Sequence, residues 1–314
     1  MSSKTRVGIL GIGAVGGYFG GLLAERYKGS EIEIILIVRP SAADTIRLKG
    51  LALITPSWEK VIFPEVVATD PSTIGVLDYL ICCTKSYDLE ESLLQLKKSI
   101  GEHTVILPLL NGVDARDRIH KLYPSVEIWE GCVYIVARLL QPGVIKETGK
   151  VHKLYFGSDT ASSIKLQALE KLFIDAGIDA TLSGNIQQTL WEKFLFLSTI
   201  ANMTTYTNKV IGEVLREPFT KTLLIELIKE LKLLADASGI NLPQNVADTT
   251  LSKIEHLNYD ATSSMHSDFQ KGGRIEYMSL TAYVCELGDK YGIETPAFDN
   301  ILTEFVRRES ERLK

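Results

Sequence analysis

Three glycines spaced as GxGxxG, in Gly11-Ile12-Gly13-Ala14-Val15-Gly16, form the first arrangement in the chain that could do chemistry. Such a hexamer is common. It gains meaning between a strand and a helix, with a second strand about twenty residues further on. Residues 7–10 are a short apolar run, residues 14–27 suit a helix, and the isoleucine-rich residues 32–38 suit a second strand. In that setting each glycine has a separate task. Gly11 permits a tight turn, Gly13 lets the backbone approach a pyrophosphate, and Gly16 lets helix and strand pack closely. The helix start at Ala14 and Val15 then offers free N–H groups and a positive dipole end to phosphate. Gly11, Gly13, Ala14, Val15 and Gly16 are thus the expected cofactor-binding backbone of a dinucleotide site. At the end of the second strand stands Val38-Arg39-Pro40, where an acid would hold the ribose 2′-hydroxyl of NAD. Glu31 and Glu33 lie too early for that role. A guanidinium forks onto phosphate, so Arg39 points to NADPH, with a solvated loop cation as the bland alternative.

Three further positions carry polar or charged groups next to apolar runs. Lys85 follows the buried run 77–84, and Asn111-Gly112 follows residues 104–109; both could equally cap strand ends. Trp191-Glu192-Lys193 holds the only charges between Leu190 and Met203. Burial opposes a lysine's charge and a nearby carboxylate supports it. A lysine balanced that way can give a proton to a developing alkoxide. The residues alone leave open that Lys193 lies in solvent.

The elements that must position these groups change along the chain. Strands at 7–10, 32–38, 77–84 and 104–109 alternate with helices, one of them at 86–99, which argues for a parallel sheet covered on both faces. Short strands follow at 133–140, 143–148 and 153–156, with turns at Gln141-Pro142-Gly143 and Gly149-Lys150. A helix is expected over 163–176. After Asn185, a plausible helix N-cap, almost everything has helical periodicity. Residues 220–238 carry Leu223, Leu224, Leu227, Leu231 and Leu234 as one stripe ended by Gly239, and residues 277–291 form a helix ended by Gly292. The expected fold class is α/β: a Rossmann-type doubly wound parallel sheet over 1–184, binding NADP, and an all-α substrate and catalytic domain over 185–314.

Bulk properties exclude several partners. The 314 residues are 45% hydrophobic and 23% charged, ordinary for a globular chain that needs no disulfide or metal to hold its core. The net charge is −5 and no basic run exceeds a pair, so nucleic acid and anionic membrane are poor partners. Cys82, Cys83, Cys132 and Cys285 show neither CxxC spacing nor a His cluster, so we expect buried thiols in a reducing compartment and no metal site. Residues 7–24 are uncharged, but seven of the eighteen are glycine, which argues against a signal peptide or membrane span. A cytoplasmic location is expected, with the chain a monomer or a homodimer.

Four motifs in this order and spacing, the Gly11–Gly16 turn, Cys82-Cys83-Thr84-Lys85, Pro108-Leu109-Leu110-Asn111-Gly112-Val113 and Trp191-Glu192-Lys193, resemble the ketopantoate reductase (2-dehydropantoate 2-reductase) family along essentially the whole chain. The resemblance implies an enzyme that moves a hydride from NADPH to the C2 ketone of 2-dehydropantoate, giving pantoate for pantothenate biosynthesis. It implies Lys193 as general acid, assisted by Glu276, eleven residues beyond Ser263-Ser264-Met265. From the residues alone Glu276 could be a surface i,i+4 partner. The resemblance also puts Lys85 and Asn111 near cofactor and substrate, and Ser264 on the substrate. Asp268 falls in the same region, where an exposed helix charge is expected.

The chain departs from the family at positions that help bind the hydroxyls and carboxylate of pantoate. Family asparagines four and eight residues after the lysine are here Leu197 and Ala201, and a later one is Ile211. Asn202 is one residue late, which on a helix turns a side chain about 100° away. Asn208 is near but not aligned. A different 2-keto acid as the small-molecule substrate, or a non-catalytic NADPH sensor, are the competing expectations.

Overall fold

The computed structural model describes residues 4–149, 151–159 and 163–312. The chain forms two compact units, one of residues 1–110 and 115–186, the other of residues 111–114 and 187–314. The short segment 111–114 therefore belongs to the second unit, although most of the first unit flanks it in sequence.

In chain order the first unit begins β1 (Thr5–Leu10), α1 (Ala14–Arg26), β2 (Ile32–Ile37), α2 (Pro40–Lys49), β3 (Leu51–Ile54), β4 (Glu59–Ile62) and β5 (Val66–Ala68). It continues β6 (Tyr79–Cys82), α3 (Leu89–Gln95), β7 (Val105–Pro108), α4 (Ala115–Leu122), β8 (Glu127–Ile128), β9 (Glu130–Tyr134) and β10 (Ala137–Gln141). β11 (Val144–Glu147), β12 (Lys153–Gly157), α5 (Ser163–Asp175) and β13 (Asp179–Leu182) complete it.

Six strands make one sheet in the order β5-β2-β1-β6-β7-β8, and every pair in it is parallel. Apolar runs become these strands because both faces are covered. Val7, Ile9, Leu36, Ile81 and Leu107 enter one buried cluster, while Leu10, Ile35, Leu80, Cys82 and Ile106 enter another. The chain winds outward from β1 through β2 to β5, then returns to β6 on β1's other side. That reversal makes the carboxyl ends of β1 and β6 the topological switch point, the place where ligands bind in open α/β sheets. The expected doubly wound parallel sheet is therefore observed.

Two smaller sheets flank it, β10-β11-β3-β4 and β13-β12-β9. Here local expectations need correction. The run 133–140 is not one strand but the end of β9 and the start of β10. The hairpin of β3 and β4 was not anticipated. The helix expected over 86–99 is a 3-10 turn at Ser86–Asp88 followed by the short α3. Of the turn expected at Gly149-Lys150, Lys150 lies outside the described residues.

The second unit is helical: α6 (Ile186–Thr207, from the last residue of the first unit), α7 (Ile211–Arg216), α8 (Pro218–Ala237), α9 (Val246–Glu255), α10 (Ser264–Gln270), α11 (Tyr283–Tyr291) and α12 (Pro296–Arg312). Leu224, Leu227, Leu231 and Leu234 of α8 meet Phe194 and Leu195 of α6 and Phe298, Ile301 and Phe305 of α12 in one core. Glu230 is buried beside that core. Its carboxylate accepts the Ala297 and Phe298 N–H groups at 2.8 and 3.1 Å and so caps α12. The helix expected over 277–291 is interrupted. Met278–Ala282 form a π-turn, and only then does α11 begin. Among the described residues no helix is long and apolar enough to cross a membrane.

Candidate functional site

The glycine turn separates packing from function. Gly11 has φ +91°, and a Cβ there would sit 3.0 Å from the backbone of Cys83 and Thr84. At Gly16 a Cβ would lie 2.1 Å from the Gly11 carbonyl oxygen and 2.8 Å from Cys83 Cβ. The protein's own packing accounts for both. Gly13, at the N-cap of α1, is different: a Cβ there would meet nothing within 4 Å. A glycine that the protein does not need for its own packing, facing open space at a helix start, fits close approach by a ligand. The first turn of α1 carries no acidic residue that would repel an anion. Ala14 and Val15 are its first two residues, so the residues present fit a pyrophosphate.

Arg39 is the N-cap of α2, with 78% of its side chain exposed, and it pairs with Asp88. Asp88 restrains this exposed guanidinium at the strand end while leaving it in solvent. Lys85 is half-buried and stands at the N-cap position of the 3-10 turn after β6. The neighbouring Cys83 thiol is pushed up to about 12 by burial, which makes it a packing group rather than a nucleophile. The four cysteines are free thiols. The described residues contain no cluster of His, Cys, Asp and Glu suited to a metal.

In the second unit Lys193 is half-buried on α6, beside Phe194 and Leu195, and its Nζ donates to Asn111 Oδ1 at 3.1 Å. Two of the expected site residues, 82 positions apart in sequence, thus share a hydrogen bond. Glu276 is only 4% exposed, so it is not a solvated helix charge. Ser264 is exposed at the start of α10, and the preceding Ser263 caps that helix by accepting the His266 N–H. Asp268 is half-buried, not exposed.

The asparagines near the lysine serve the scaffold. Asn202 is fully buried. Its Nδ2 donates to the Ser198 and Leu280 carbonyls, each at 2.9 Å, and its Oδ1 accepts from Thr281 Oγ1 at 2.6 Å. Asn208 adopts φ +52° and turns its Oδ1 to His266 Nε2 at 2.9 Å. On the α6 face of Lys193, one turn and two turns on, stand Leu197 and Ala201, and Ile211 is buried. Polar side chains are thus absent from the next two steps of that face.

Two residues escaped the sequence reading. Ser279 in the π-turn donates from Oγ to Asp114 Oδ2 at 2.8 Å, and both are buried. Asp114 carried a weak signal, an acid three residues beyond Asn111. Ser279 carried none, because a π-turn hardly alters the hydrophobic period.

The sequence model of a family described as "Ketopantoate reductase PanE/ApbA" matches residues 7–160, and its C-terminal counterpart matches residues 185–308. The chain is similar to an uncharacterized oxidoreductase of Bacillus subtilis, 24% identical with 97% of this chain and 99% of that protein covered. Among solved structures, the 2-dehydropantoate 2-reductase of Porphyromonas gingivalis is 30% identical, with a TM-score of 0.83, covering 96% of this chain and 99% of that one. A D-mandelate dehydrogenase solved with NADH and anilino(oxo)acetate shares the fold, with a TM-score of 0.86 at 23% identity, covering 99% of this chain and 100% of that one.

Proposed function

The chain belongs to the ketopantoate reductase family of oxidoreductases, and from that premise we propose that it reduces the C2 ketone of a 2-keto acid with NADPH, 2-dehydropantoate being the first candidate. The observation that carries this reading is the hydrogen bond from Lys193 Nζ to Asn111 Oδ1. A bound nicotinamide cofactor supplies the hydride. Gly13, Ala14 and Val15 would hold its pyrophosphate on the turn that Gly11 and Gly16 allow, Arg39 would hold its 2′-phosphate, and Lys85 and Asn111 would each contact cofactor and substrate. As the ketone becomes an alkoxide, Lys193 gives its oxygen a proton, and that developing charge is what a fixed ammonium stabilises. The buried Glu276 assists Lys193, and Ser264 contacts the substrate. The first unit is the cofactor-binding domain in this reading, and the second carries the acid.

A specific observation favours a second substrate. Leu197 and Ala201 follow Lys193 along one face of α6, and Asn202 is spent on Leu280 and Thr281. A site without groups for a substrate hydroxyl gains little from one and tolerates an apolar side chain. The second reading is therefore a 2-keto acid with a branched or aromatic apolar side chain. Loss of NADPH absorbance with a panel of 2-keto acids separates the two. Turnover of 2-dehydropantoate far above the rest supports the first, and turnover of apolar acids alone supports the second. Tight NADPH binding without turnover of any acid would leave a sensor and sink both.

A further inference from the structure

We propose that Asp114 and Ser279 are positioning residues that hold Asn111 against Lys193; the proposal rests on Lys193 being the proton donor. Among the described residues, segment 111–114 is the only part of the second unit drawn from before residue 187. Its grip on that unit is therefore made by contacts rather than by neighbouring chain. Three observations describe this grip. Asn111 Oδ1 accepts from Lys193 Nζ at 3.1 Å. Three residues on, Asp114 Oδ2 accepts from Ser279 Oγ at 2.8 Å, a bond across 165 residues of sequence. Between them Gly112 has φ +100°, and a Cβ there would lie 2.8 Å from Asp114 Oδ1 and 3.2 Å from Ser279 Cβ. The segment is pinned at both ends, with no room for a side chain between.

The π-turn places the other half of the clasp. A π-turn shifts the helical register by one residue, and such turns recur at functional sites. Here the Leu280 carbonyl accepts from Ser198 Oγ at 2.8 Å and Asn202 Nδ2 at 2.9 Å, and Thr281 Oγ1 donates to Asn202 Oδ1. The turn is thereby bolted to α6, the helix that carries Lys193. Donor helix, π-turn and segment 111–114 close a ring of hydrogen bonds: Lys193 to Asn111, Asp114 to Ser279, Leu280 and Thr281 to Asn202. The two residues outside the reacting groups set where the acceptor of Lys193 stands.

The test is steady-state kinetics of the full chain with NADPH and its best 2-keto acid, for Ser279→Ala, Asp114→Ala, Asp114→Asn, Asn111→Ala, Lys193→Ala and the double variant Ser279→Ala/Asn111→Ala. A loosened acceptor costs kcat by about tenfold or more, as small misplacements do. Ser279→Ala and Asp114→Ala are expected to lose kcat while NADPH affinity stays at the wild-type value. Asp114→Asn, which keeps an acceptor oxygen, recovers most of the loss. In the Asn111→Ala background Ser279→Ala costs nothing more. Wild-type kcat in a folded Ser279→Ala, or additive losses in the double variant, overturns the clasp. A lowered melting temperature with unchanged kcat also overturns it, as a merely structural bond. Should Lys193→Ala keep wild-type turnover, the underlying reading falls. If Lys193→Ala is inactive and Ser279→Ala is not impaired, the clasp alone falls.

Discussion

Alanine at Gly13 and alanine at Gly16 should fail in opposite ways, although the two glycines share one motif. At Gly16 the new Cβ would stand 2.1 Å from the Gly11 carbonyl oxygen and 2.8 Å from Cys83 Cβ. The first of these is backbone, so α1 must move off the end of β1 by about an ångström. Overpacking of that kind costs about 1–3 kcal/mol, and more where backbone must shift. At Gly13 the Cβ meets nothing within 4 Å. The residue is the N-cap of α1 with φ −87°, which an L-residue can adopt. Exchanging an N-cap glycine for alanine then costs about 1 kcal/mol or less. The methyl group would instead occupy the space into which a pyrophosphate must come. Losing one close backbone contact to phosphate should weaken NADPH by at least about tenfold, or about 1.4 kcal/mol. Thermal melting followed by circular dichroism, with NADPH titration followed by cofactor fluorescence, reads both effects. Gly13→Ala should melt near wild type and bind NADPH weakly, whereas Gly16→Ala should melt clearly lower. Wild-type NADPH affinity in Gly13→Ala would refute the assignment of that open space to the cofactor.

Three other outcomes follow from the same geometry. Arg39→Ala should raise the NADPH Michaelis constant about 10- to 100-fold, the range for loss of a charge-assisted hydrogen bond, and leave NADH unaffected; equal effects on both cofactors would remove Arg39 from the 2′-phosphate. Glu230→Ala leaves the Ala297 and Phe298 N–H groups at the start of α12 without their acceptor, so it should cost about 2–4 kcal/mol in denaturant unfolding, with Glu230→Gln intermediate; no change would mean that the cap is dispensable. Burial holds the His266 imidazole below its ordinary value of 6.5. Its folded value lies below its unfolded one, so its contribution to stability is present above about pH 6.5 and lost as pH falls through the folded value. Melting temperature should therefore fall more steeply on acidification in wild type than in His266→Gln, and parallel profiles would exclude His266 as a source.

What could be read from the residues, and what could not, divides along physical lines. β1, β2, β6 and β7 were legible because strands buried on both faces must be continuous apolar runs, as in Ile34-Ile35-Leu36-Ile37. The glycine turn was legible because its spacing is set by backbone sterics that no distant residue alters. β3 and β4 were not, since β4 reads Glu59-Lys60-Val61-Ile62 with only Ile62 buried and so carries no apolar run, and the sheet that receives the hairpin is completed by the distant β11. The asparagine shift at Asn202 was visible as a one-residue helical offset. Its destination, the carbonyl of a π-turn, was not, because the stripe Leu280-Val284-Leu287 still reads as ordinary helix. Nor could periodicity show that residues 111–114 belong with the helical unit. That membership goes with the side-chain hydrogen bonds of Asn111 and Asp114 and with Val113 packing against the helical core.

Lys193 is the residue on which the proposed reduction depends most directly. Lys193→Ala, measured by loss of NADPH absorbance with the best 2-keto acid and by NADPH titration on the same preparation, isolates it. A general acid contributes about 10²–10⁴-fold, so turnover should fall by at least that lower figure while NADPH binds as in the unaltered protein. Turnover within a few-fold of the unaltered protein, with NADPH binding intact, would contradict the assignment of Lys193 as the proton donor.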